Sequence, residues 1–556
     1  MNPETKQCQN CQQNFVIEPE DFAFYEKMKV PVPTWCPECR MKRKLIWRNE
    51  RTLYKRVCDL CGKSIITMYH PKSPYTVYCL GCWYSDQWDI SDYSINYDPD
   101  KPFFHQFNKL VLKVPKVAVY ATSVGGAENI NSDYTNFAGG NKDCYLVFNS
   151  GNNENCAYSR GLKGCKDVFD SYFGNNSELI YEGIGVQKSS RVFFGDNVSS
   201  SLDSYFLLNC SGCSDCFACV NLRNKSYHFF NQPLSKEEYK SKVSSFLGSY
   251  QKLEEVKRQF AEFALQSLRK ENRNLKFFQC VGDFIFESKN CFGCYEVSSS
   301  EDSKYLFYTK LVKDCYDVVG YGYTSELLLE TVGVGYSARV VGSWFVEQSH
   351  DLEYCIMMKS SEDCFGCDGL KNAKFSILNK QYSREEYQSI REKIIQELKK
   401  EGNYGLFLPS QMCFFAYNES LAQDEYPLTK EEAIKQGFRW EDDIPRTSGK
   451  ETLLPENIPD HIKDVKDEIV KEVLKCIICG NNYKITHQEL EFYRKMLLPI
   501  PRQCFFCRHL NRLSQRGSFK LYSRFCSKCH KDMTTTYTPN RPEIIYCESC
   551  YQGEVV

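Results

Sequence analysis

The sequence predicts a multidomain, mainly β protein, with a small cysteine-built module at each terminus. Between them it predicts a cysteine-rich parallel β-solenoid in two tandem blocks, each followed by a helix. Three observations carry this prediction. CxxC pairs recur near both ends with identical spacing, the central region repeats about every 12 residues, and a central block recurs 148 residues later. A chain of 556 residues is also long enough for several domains.

Composition excludes several classes of protein and indicates a reducing compartment. The chain contains 31 cysteines, an odd number that does not suit a framework of disulfides alone. Its first residues, MNPETKQCQNC, lack the apolar segment of a secretory signal, and no apolar run reaches the roughly 18 residues that span a bilayer. We therefore expect a cytoplasmic protein without a membrane partner. The 70 basic and 71 acidic residues balance, so net charge indicates no particular partner.

Each terminal module contains four CxxC pairs, and every cysteine of the first set lies 468 residues before its counterpart in the second. A CxxC turn directs two thiolates at one cation, and two turns complete the tetrahedral four-thiolate shell that suits Zn(II). Two sites per module predict about four Zn(II) ions per chain. Sequential pairing of the turns is the simpler arrangement, and a cross-braced pairing fits the same cysteines. The predicted ligands are Cys8, Cys11, Cys36, Cys39, Cys58, Cys61, Cys79, Cys82, Cys476, Cys479, Cys504, Cys507, Cys526, Cys529, Cys547 and Cys550.

A predicted helix separates the first two CxxC pairs of each module. Thr486 and Glu489 form a capping box in the second copy, and Pro19 suits the first helical turn in the first copy. The segment CQNCQQNFVIEPEDFAFYEKMKVPVPTWCPECR resembles the zinc-ribbon domain, of treble-clef type, in uncharacterised bacterial cysteine-rich proteins, and the C-terminal copy resembles it equally well. The resemblance covers about the first 40 residues of each module and is weaker in the middle of the chain. It implies a metal site and no reaction.

A basic segment follows the second CxxC pair of each module. Its cations recur four residues apart, which places them along one face of a predicted helix. Two interpretations remain open: the helices contact the phosphates of a nucleic acid, or their charges only balance the formal charge of −2 on a four-thiolate zinc site. The residues concerned are Arg40, Lys44, Arg48, Arg508, Arg512 and Arg516.

The central region alternates short apolar runs with Gly, Asn and Ser. The runs begin at residues 143, 155, 167, 178, 191, 203 and 215, so the mean step is 12 residues. A short strand-and-turn period is typical of a β-solenoid, in which each unit is buried only by stacking on its neighbours. We expect a full coil to need two or three such units. Cys144, Cys156 and Cys216 occupy equivalent positions and are expected to point inward.

The solenoid block occurs twice, and each copy ends in a capping box that opens a helix. The boxes are Ser235 with Glu238 and Ser383 with Glu386. One run, Cys210, Cys213, Cys216 and Cys219, has the spacing of an iron–sulfur ligand set and raises the alternatives of a cluster or an additional zinc. The second block keeps only its last two cysteines, so we interpret the run as structural thiols.

The predicted organisation follows from these elements. The boundaries are 1–92 for the N-terminal double zinc-ribbon module, 93–128 for a connector, 129–234 for solenoid block 1, 235–275 for a helix, 276–382 for solenoid block 2, 383–402 for a helix, 403–470 for an acidic connector and 471–556 for the C-terminal double zinc-ribbon module.

The sequence favours a non-catalytic role. The expected metal shells contain only cysteine and leave no open position, and no HExxH pair, GxSxG turn or phosphate-binding Gly loop occurs. We interpret the recurring Asp133, Asp143, Asp167, Asp203 and Asp215 as turn residues. The expected function is a zinc-binding scaffold that contacts RNA, a ribonucleoprotein or a protein, with no small-molecule substrate. The alternative is a solenoid enzyme that acts on a polymer and contains structural zincs.

Overall fold

The chain is divided into two units, each of which joins one terminal module to one repeat block. The computed structural model describes residues 2–121 and 128–555. The first unit consists of Met1–Ala118, Asn272–Asp443 and Thr534–Thr536, and the second of Val119–Glu271, Ile444–Met533 and Tyr537–Val556. The N-terminal module therefore shares a unit with the second repeat block. Residues 122–127, within the predicted connector 93–128, lie outside the described residues.

The first unit contains short strands and helices in its module and longer strands in its repeat block. Its helices are Pro19–Met28, Pro37–Leu45, Leu80–Trp83, Phe103–Lys113, Arg384–Lys400, Leu421–Glu425 and Lys430–Lys435, with 3-10 turns at Ile90–Asp92, Ser410–Met412 and Tyr417–Glu419. Its strands are Glu4–Gln7, Asn14–Ile17, Tyr54–Val57, Ser64–Thr67, Val77–Tyr78, Lys116–Val117, Val281–Phe286, Lys289–Ser298, Glu301–Lys313, Tyr316–Gly335, Ala338–Val341, Trp344–Glu347, His350–Glu353, Ile356–Lys359, Glu362–Phe365, Lys374–Ile377 and Lys380–Gln381.

The second unit has the same two kinds of component. Its helices are Lys236–Ser244, Tyr250–Leu265, His487–Met496, Phe505–Arg516 and Glu548–Val555, with 3-10 turns at Pro455–Asn457, Ile462–Asp464 and Asp467–Val470. The strands are Tyr145–Phe148, Ala157–Lys163, Lys166–Phe169, Tyr172–Asn175, Glu178–Tyr181, Ile184–Gln187, Ser190–Phe193, Asp196–Ser199, Leu202–Leu208, Ser214–Val220, Ser226–Phe229, Gln232–Pro233, Leu268–Lys270, Leu474–Lys475, Asn482–Tyr483, Tyr522–Phe525, Asp532–Thr535 and Ile544–Tyr546.

A register of twelve residues relates most parallel strand pairs of the repeat blocks, with local shifts between Val281 and Gly282 and between Lys310 and Val312. Tyr172 pairs with Ile184 and Ile184 with Asp196, so a residue pairs with the one twelve positions later. In the second unit, eight consecutive strands from Ala157–Lys163 to Leu202–Leu208 pair in a closed parallel ring. The prediction of a repetitive, mainly β protein is confirmed. The expected coil of two or three units is wrong, because pairing between residues twelve positions apart means that the chain completes one circuit in twelve residues.

Left-handed backbone at every third residue makes so short a circuit possible. Asn149, Asn152, Asn155 and Tyr158 have φ of 51°, 57°, 54° and 53°, and the pattern continues through both repeat blocks. Each such residue turns the chain after three residues, and Asn and Asp accept this conformation more readily than most side chains. The recurring aspartates Asp143, Asp167, Asp203 and Asp215 occupy these corners, with φ of 53°, 53°, 46° and 48°. Their interpretation as turn residues is therefore confirmed.

Every third side chain points into the repeat, and the inward residues are small or aliphatic. They form a buried column in which Cys, Ser, Val and Gly predominate. The inward hydroxyls connect successive circuits: the Ser171 N–H donates to Ser159 Oγ at 3.0 Å, and the Gly183 N–H donates to Ser171 Oγ at 3.1 Å. Because these amides are buried, each hydroxyl supplies an acceptor that the narrow circuit would otherwise lack.

The inward cysteines belong to this column. Cys144, Cys156 and Cys216 are buried as predicted, and so are Cys210, Cys213 and Cys219. Their thiols donate to backbone carbonyls, as Cys210 does to the Leu208 oxygen at 3.4 Å. Within the described ranges, no four-ligand group suited to a metal includes these residues. The structure therefore favours the interpretation of the run from Cys210 to Cys219 as structural thiols.

Removing one inward hydroxyl should destabilise the repeat. In Ser171→Ala the buried Gly183 amide loses its acceptor, and we expect about 1–3 kcal/mol of lost unfolding free energy. Urea unfolding followed by circular dichroism measures this loss, and faster hydrogen exchange at Gly183 should accompany it. Ser190→Ala removes a hydroxyl at the surface, which donates to the exposed Glu178 carboxylate and accepts from the Arg191 guanidinium at 3.5 Å, so it serves as the control. Equal midpoints for the two variants would contradict the proposed bridging role.

Helices follow both repeat blocks, and their predicted starts are confirmed. Ser235 with Glu238 and Ser383 with Glu386 form capping boxes, as Thr486 with Glu489 does in the C-terminal module. The segment predicted as one helix over 235–275 is two helices, separated near Gly248, whose φ of +86° is left-handed. In the portions of the chain described, no helix combines the length and the apolarity needed to cross a membrane.

The segment from residue 404 to 426, which we call the strap, packs on the module of the first unit. Phe414 contacts Trp47 with ring centroids 5.1 Å apart, and Arg43 donates to the Leu408 oxygen at 2.9 Å. The Leu421 N–H donates to the Arg48 oxygen at 3.0 Å. This part of the predicted acidic connector 403–470 is therefore an ordered component of the first unit.

Candidate metal centres

Four groups of four cysteines come together, one for each adjacent pair of CxxC turns. In every group the four sulfur atoms lie within 4.8 Å of one another. The pairing is sequential in both modules, so the cross-braced alternative is excluded for these cysteines. The groups are Cys8, Cys11, Cys36 and Cys39; Cys58, Cys61, Cys79 and Cys82; Cys476, Cys479, Cys504 and Cys507; and Cys526, Cys529, Cys547 and Cys550.

The spacing of the sulfur atoms fits a tetrahedral metal site. Zn–S bonds of about 2.3 Å in tetrahedral geometry place two sulfurs roughly 3.8 Å apart. The distances between the two turns of a group agree: 3.7 Å for Cys11 and Cys36, and 3.9 Å for Cys61 and Cys79. The C-terminal module gives 3.7 Å for Cys479 and Cys504, and 3.8 Å for Cys529 and Cys547. All four groups could therefore hold a metal ion of the size of Zn(II).

The same backbone turn presents the first two sulfurs of every group. In the first group the Cys8 N–H donates to the Gln13 oxygen, and the Gln12 N–H donates back to the Cys8 oxygen. Equivalent pairs of hydrogen bonds begin at Cys58, Cys476 and Cys526. The turn needs a left-handed residue four positions after its first cysteine, and Gly62 and Gly480 supply it in two of the groups.

Backbone amides donate to one sulfur of each group. The N–H of the third cysteine points at the sulfur of the first, with distances of 3.2 Å from Cys36 to Cys8 and 3.3 Å from Cys504 to Cys476. The side-chain amide of Asn10 also donates a hydrogen bond to the Cys39 sulfur, at 3.2 Å. Such donors stabilise thiolate over thiol, which is the form that binds a metal.

The pKa values of several cysteines are lowered accordingly. Hydrogen bonding from Cys39 holds the pKa of Cys36 at about 5. Burial opposes ionisation of Cys58 and Cys526, but backbone N–H donors outweigh it and lower the pKa of each to about 6. The same balance lowers the pKa of Cys476 to about 7. Each group therefore contains a thiol that ionises readily near neutral pH.

The ligand sets are chemically closed. Each offers four sulfurs, which is the composition of structural zinc sites, whereas catalytic zinc sites keep one position for water or substrate. In each group the second cysteine, Cys11, Cys61, Cys479 or Cys529, is exposed, and the others are at least partly buried. The geometry suits a metal that holds the module together.

The six cations predicted to face a nucleic acid are buried instead. Their exposed fractions are 2% for Arg40, 0% for Lys44, 3% for Arg48, 3% for Arg508, 1% for Arg512 and 3% for Arg516. The prediction of a phosphate-binding surface at these residues is corrected, because side chains this deeply buried cannot reach a polyanion. The basic segments were also predicted to be helical, and the structure has the helices Pro37–Leu45 and Phe505–Arg516 there.

In the first unit, two of these cations bind carboxylates of the repeat block. Arg40 contacts Asp317 at 2.9 Å and Glu330 at 3.3 Å. Lys44 contacts the same two carboxylates, at 3.2 Å and 2.9 Å. Burial opposes ionisation of Asp317, but Arg40 and Lys44 hold its pKa below the usual value, whereas burial raises the pKa of Glu330. Two cations and two anions thus join module to repeat.

The second unit repeats this arrangement. Arg508 and Arg512 contact Asp170 at 2.9 Å and 3.2 Å, and Arg512 also contacts Glu182 at 3.5 Å. Arg516 donates to the Tyr172 hydroxyl at 2.6 Å. The cations occupy the same positions of the two modules, and the carboxylates occupy left-handed corners of successive circuits. The duplication therefore covers the interface between module and repeat as well as the metal centres.

Sequence reasoning missed these carboxylates. Asp170 and Glu182 are twelve residues apart, and Asp317 and Glu330 are thirteen apart across a shift of register. Their spacing matches the repeat period, and this match was the one feature of the sequence from which the carboxylate pairs could have been found. Nothing in the period alone distinguishes a corner that faces a module from one that faces solvent.

No protein-family model matches the chain, and no curated protein matches it.

Proposed function

We propose that this protein is a zinc-binding, non-catalytic scaffold, in which four structural zinc sites hold two modules on β-solenoid blocks. The observation that carries the proposal is the fit of all four cysteine groups to a tetrahedral four-sulfur shell. The low pKa values of Cys36, Cys58 and Cys526 support binding at neutral pH. We also propose that the chain belongs with the bacterial cysteine-rich zinc-ribbon proteins that its terminal segments resemble.

The proposed partner is a macromolecule, and we favour a protein over RNA. All six cations that suggested RNA are buried, and four of them, Arg40, Lys44, Arg508 and Arg512, are paired with carboxylates of their own unit. The stacked carboxylates that a polymer-cleaving enzyme would need, Asp317 with Glu330 and Asp170 with Glu182, are occupied by the same cations. Both facts favour a scaffold over the alternative of a solenoid enzyme.

Metal analysis tests the proposal. Protein purified from zinc-supplemented cells is expected to hold about four zinc ions per chain, because the described residues form four closed groups. Exchange with Co(II) should produce the absorption of tetrahedral cobalt thiolate in the same stoichiometry. Titration of thiols before and after a strong chelator should show the ligand cysteines becoming reactive. Fewer than three zinc ions per chain would contradict the proposal.

A further inference from the structure

The third cysteine group is surrounded by apolar side chains that lie at the surface. Its two turns read Cys-Ile-Ile-Cys, from Cys476, and Cys-Phe-Phe-Cys, from Cys504. Ile477 is 45% exposed and Ile478 is 66% exposed, and Leu510, one helical turn after Phe506, is 54% exposed. Single apolar residues are common on protein surfaces, but a group of them marks an interaction site.

These residues all lie around the third cysteine group. Ile477 and Ile478 lie between the cysteines of one turn, and Phe506 lies between the cysteines of the other. The two turns hold the same four sulfurs within 4.8 Å, so the intervening residues flank one cysteine group. Leu510 follows Phe506 by four residues on the helix Phe505–Arg516 and shares its face. We call Ile477, Ile478, Phe506 and Leu510 the apolar patch.

The N-terminal module shows that the fold does not require apolar residues at these positions. The counterparts, 468 residues earlier, are Gln9, Asn10, Glu38 and Lys42. They make local polar contacts: Asn10 donates to the Cys39 sulfur at 3.2 Å, and Lys42 contacts Glu38 at 3.0 Å. The same metal-binding turn thus forms with polar side chains. The apolar residues of the C-terminal copy have another use.

In the N-terminal copy a peptide segment lies against one of the corresponding residues, Lys42, while Gln9 and Asn10 are exposed. The strap places Tyr426 against Lys42, with the ammonium 5.2 Å from the ring centroid, and its Asp424 pairs with Arg51 at 2.5 Å. The N-terminal module therefore binds a short stretch with aromatic and acidic residues beside this face. On the C-terminal copy, the guanidinium of the exposed Arg446 lies 5.5 Å from the Phe506 ring and offers a cation at the edge of the apolar patch.

We propose that the apolar patch is the docking surface for a short apolar segment of a partner protein, which also carries an acidic residue opposite Arg446. The inference rests on the proposed function, because zinc would hold both turns of the patch together. A short segment fits better than a broad globular face, since four side chains cover far less than the roughly 800 Å² per partner of a standard interface.

The N-terminal copy supplies the test variant. Replacing the four residues with their counterparts, Ile477→Gln, Ile478→Asn, Phe506→Glu and Leu510→Lys, removes the patch and keeps side chains that this turn already accepts. The probe is a phage-displayed library of 16-residue peptides selected on the full-length zinc-loaded chain. We expect apolar peptides with an acidic residue to be enriched, and to bind the variant at least tenfold more weakly. Arg446→Glu should weaken the same peptides.

Several results would overturn the inference. The inference is wrong if the selection enriches no peptides, or if the enriched peptides bind the wild-type chain and the variant with equal affinity. Binding to phosphatidylcholine–phosphatidylglycerol vesicles that the variant loses would assign the patch to a membrane surface, and loss of a concentration-dependent dimer would assign it to a second copy. Zinc content separates the two proposals. A wild-type chain with about four zincs but no patch-dependent peptide refutes only the docking surface, and a chain without zinc refutes the proposed function.

Discussion

Replacing Cys476 with Ser should lower the zinc content from about four ions per chain to about three. Cys476 is 2% exposed, and its sulfur accepts the Cys504 amide while it completes the third group. A hydroxyl in its place is a poor ligand at neutral pH, and three thiolates cannot close the tetrahedral shell. Because metal binding and folding of such small modules are coupled, the region around His487–Met496 and Phe505–Arg516 should also lose protection against proteolysis.

An inward cysteine of the repeat supplies the control. Cys156 is 0% exposed, so it is at least as buried as Cys476, but its thiol donates to the Glu154 oxygen and belongs to no metal group among the described residues. Serine already occupies neighbouring inward positions such as Ser159 and Ser171. Cys156→Ser should therefore retain about four zinc ions and cost less than about 1.5 kcal/mol. Equal zinc content in the two variants would show that the third group is not a metal site.

Replacing Asp317 with Asn should destabilise the first unit by about 3–5 kcal/mol. Asp317 is fully buried, and it receives both Arg40 and Lys44. Without its charge, two buried cations face only Glu330, and an uncompensated buried charge is among the most destabilising of single changes. All six tryptophans of the chain lie in the segments of the first unit, so tryptophan fluorescence during urea unfolding measures the effect there.

Two further variants separate the ion pairs from other causes. Asp351 pairs with Arg339 at the surface, and Asp351→Asn should cost no more than about 1 kcal/mol. Replacing all four buried charges together, with Met for Arg40 and Lys44 and Leu for Asp317 and Glu330, should recover most of the loss, because no charge then remains unpaired. If Asp317→Asn unfolds at the same urea concentration as wild type, the ion-pair network does not hold module and repeat together.

Local sequence signals predicted the four-cysteine groups and the starts of several helices. The backbone geometry of a CxxC turn is determined locally, because its residues close a short hydrogen-bonded loop such as that from Cys8 to Gln13. Capping boxes such as Ser383 with Glu386 act within one helical turn. Because of the internal duplication, each module position could be compared with its counterpart 468 residues away. These features depend on residues near each other in sequence, so they could be interpreted without a tertiary structure.

The twelve-residue period was visible in the sequence, but the shape of the circuit was not inferred from it. The decisive signal was a finer period, in which every third residue is small or aliphatic and points inward, as Cys156, Ser159, Leu162 and Cys165 do. The residue before each of them adopts a left-handed conformation, even where it is Tyr158 or Leu179. Propensity argues against that conformation for bulky side chains, and the stacked register of the repeat overrides it.

By itself, the sequence determined the four-cysteine groups, the period of the repeat and the duplication, since each is written in spacings along the chain. Only the tertiary structure decided that the N-terminal module joins the second repeat block, and that Arg40 and Lys44 face Asp317 and Glu330. The physical reason is that cations spaced four residues apart identify one face of a helix. The role of those cations depends on what packs against that face. Here carboxylates hundreds of residues away occupy it, and a surface expected to meet a polyanion is an internal interface.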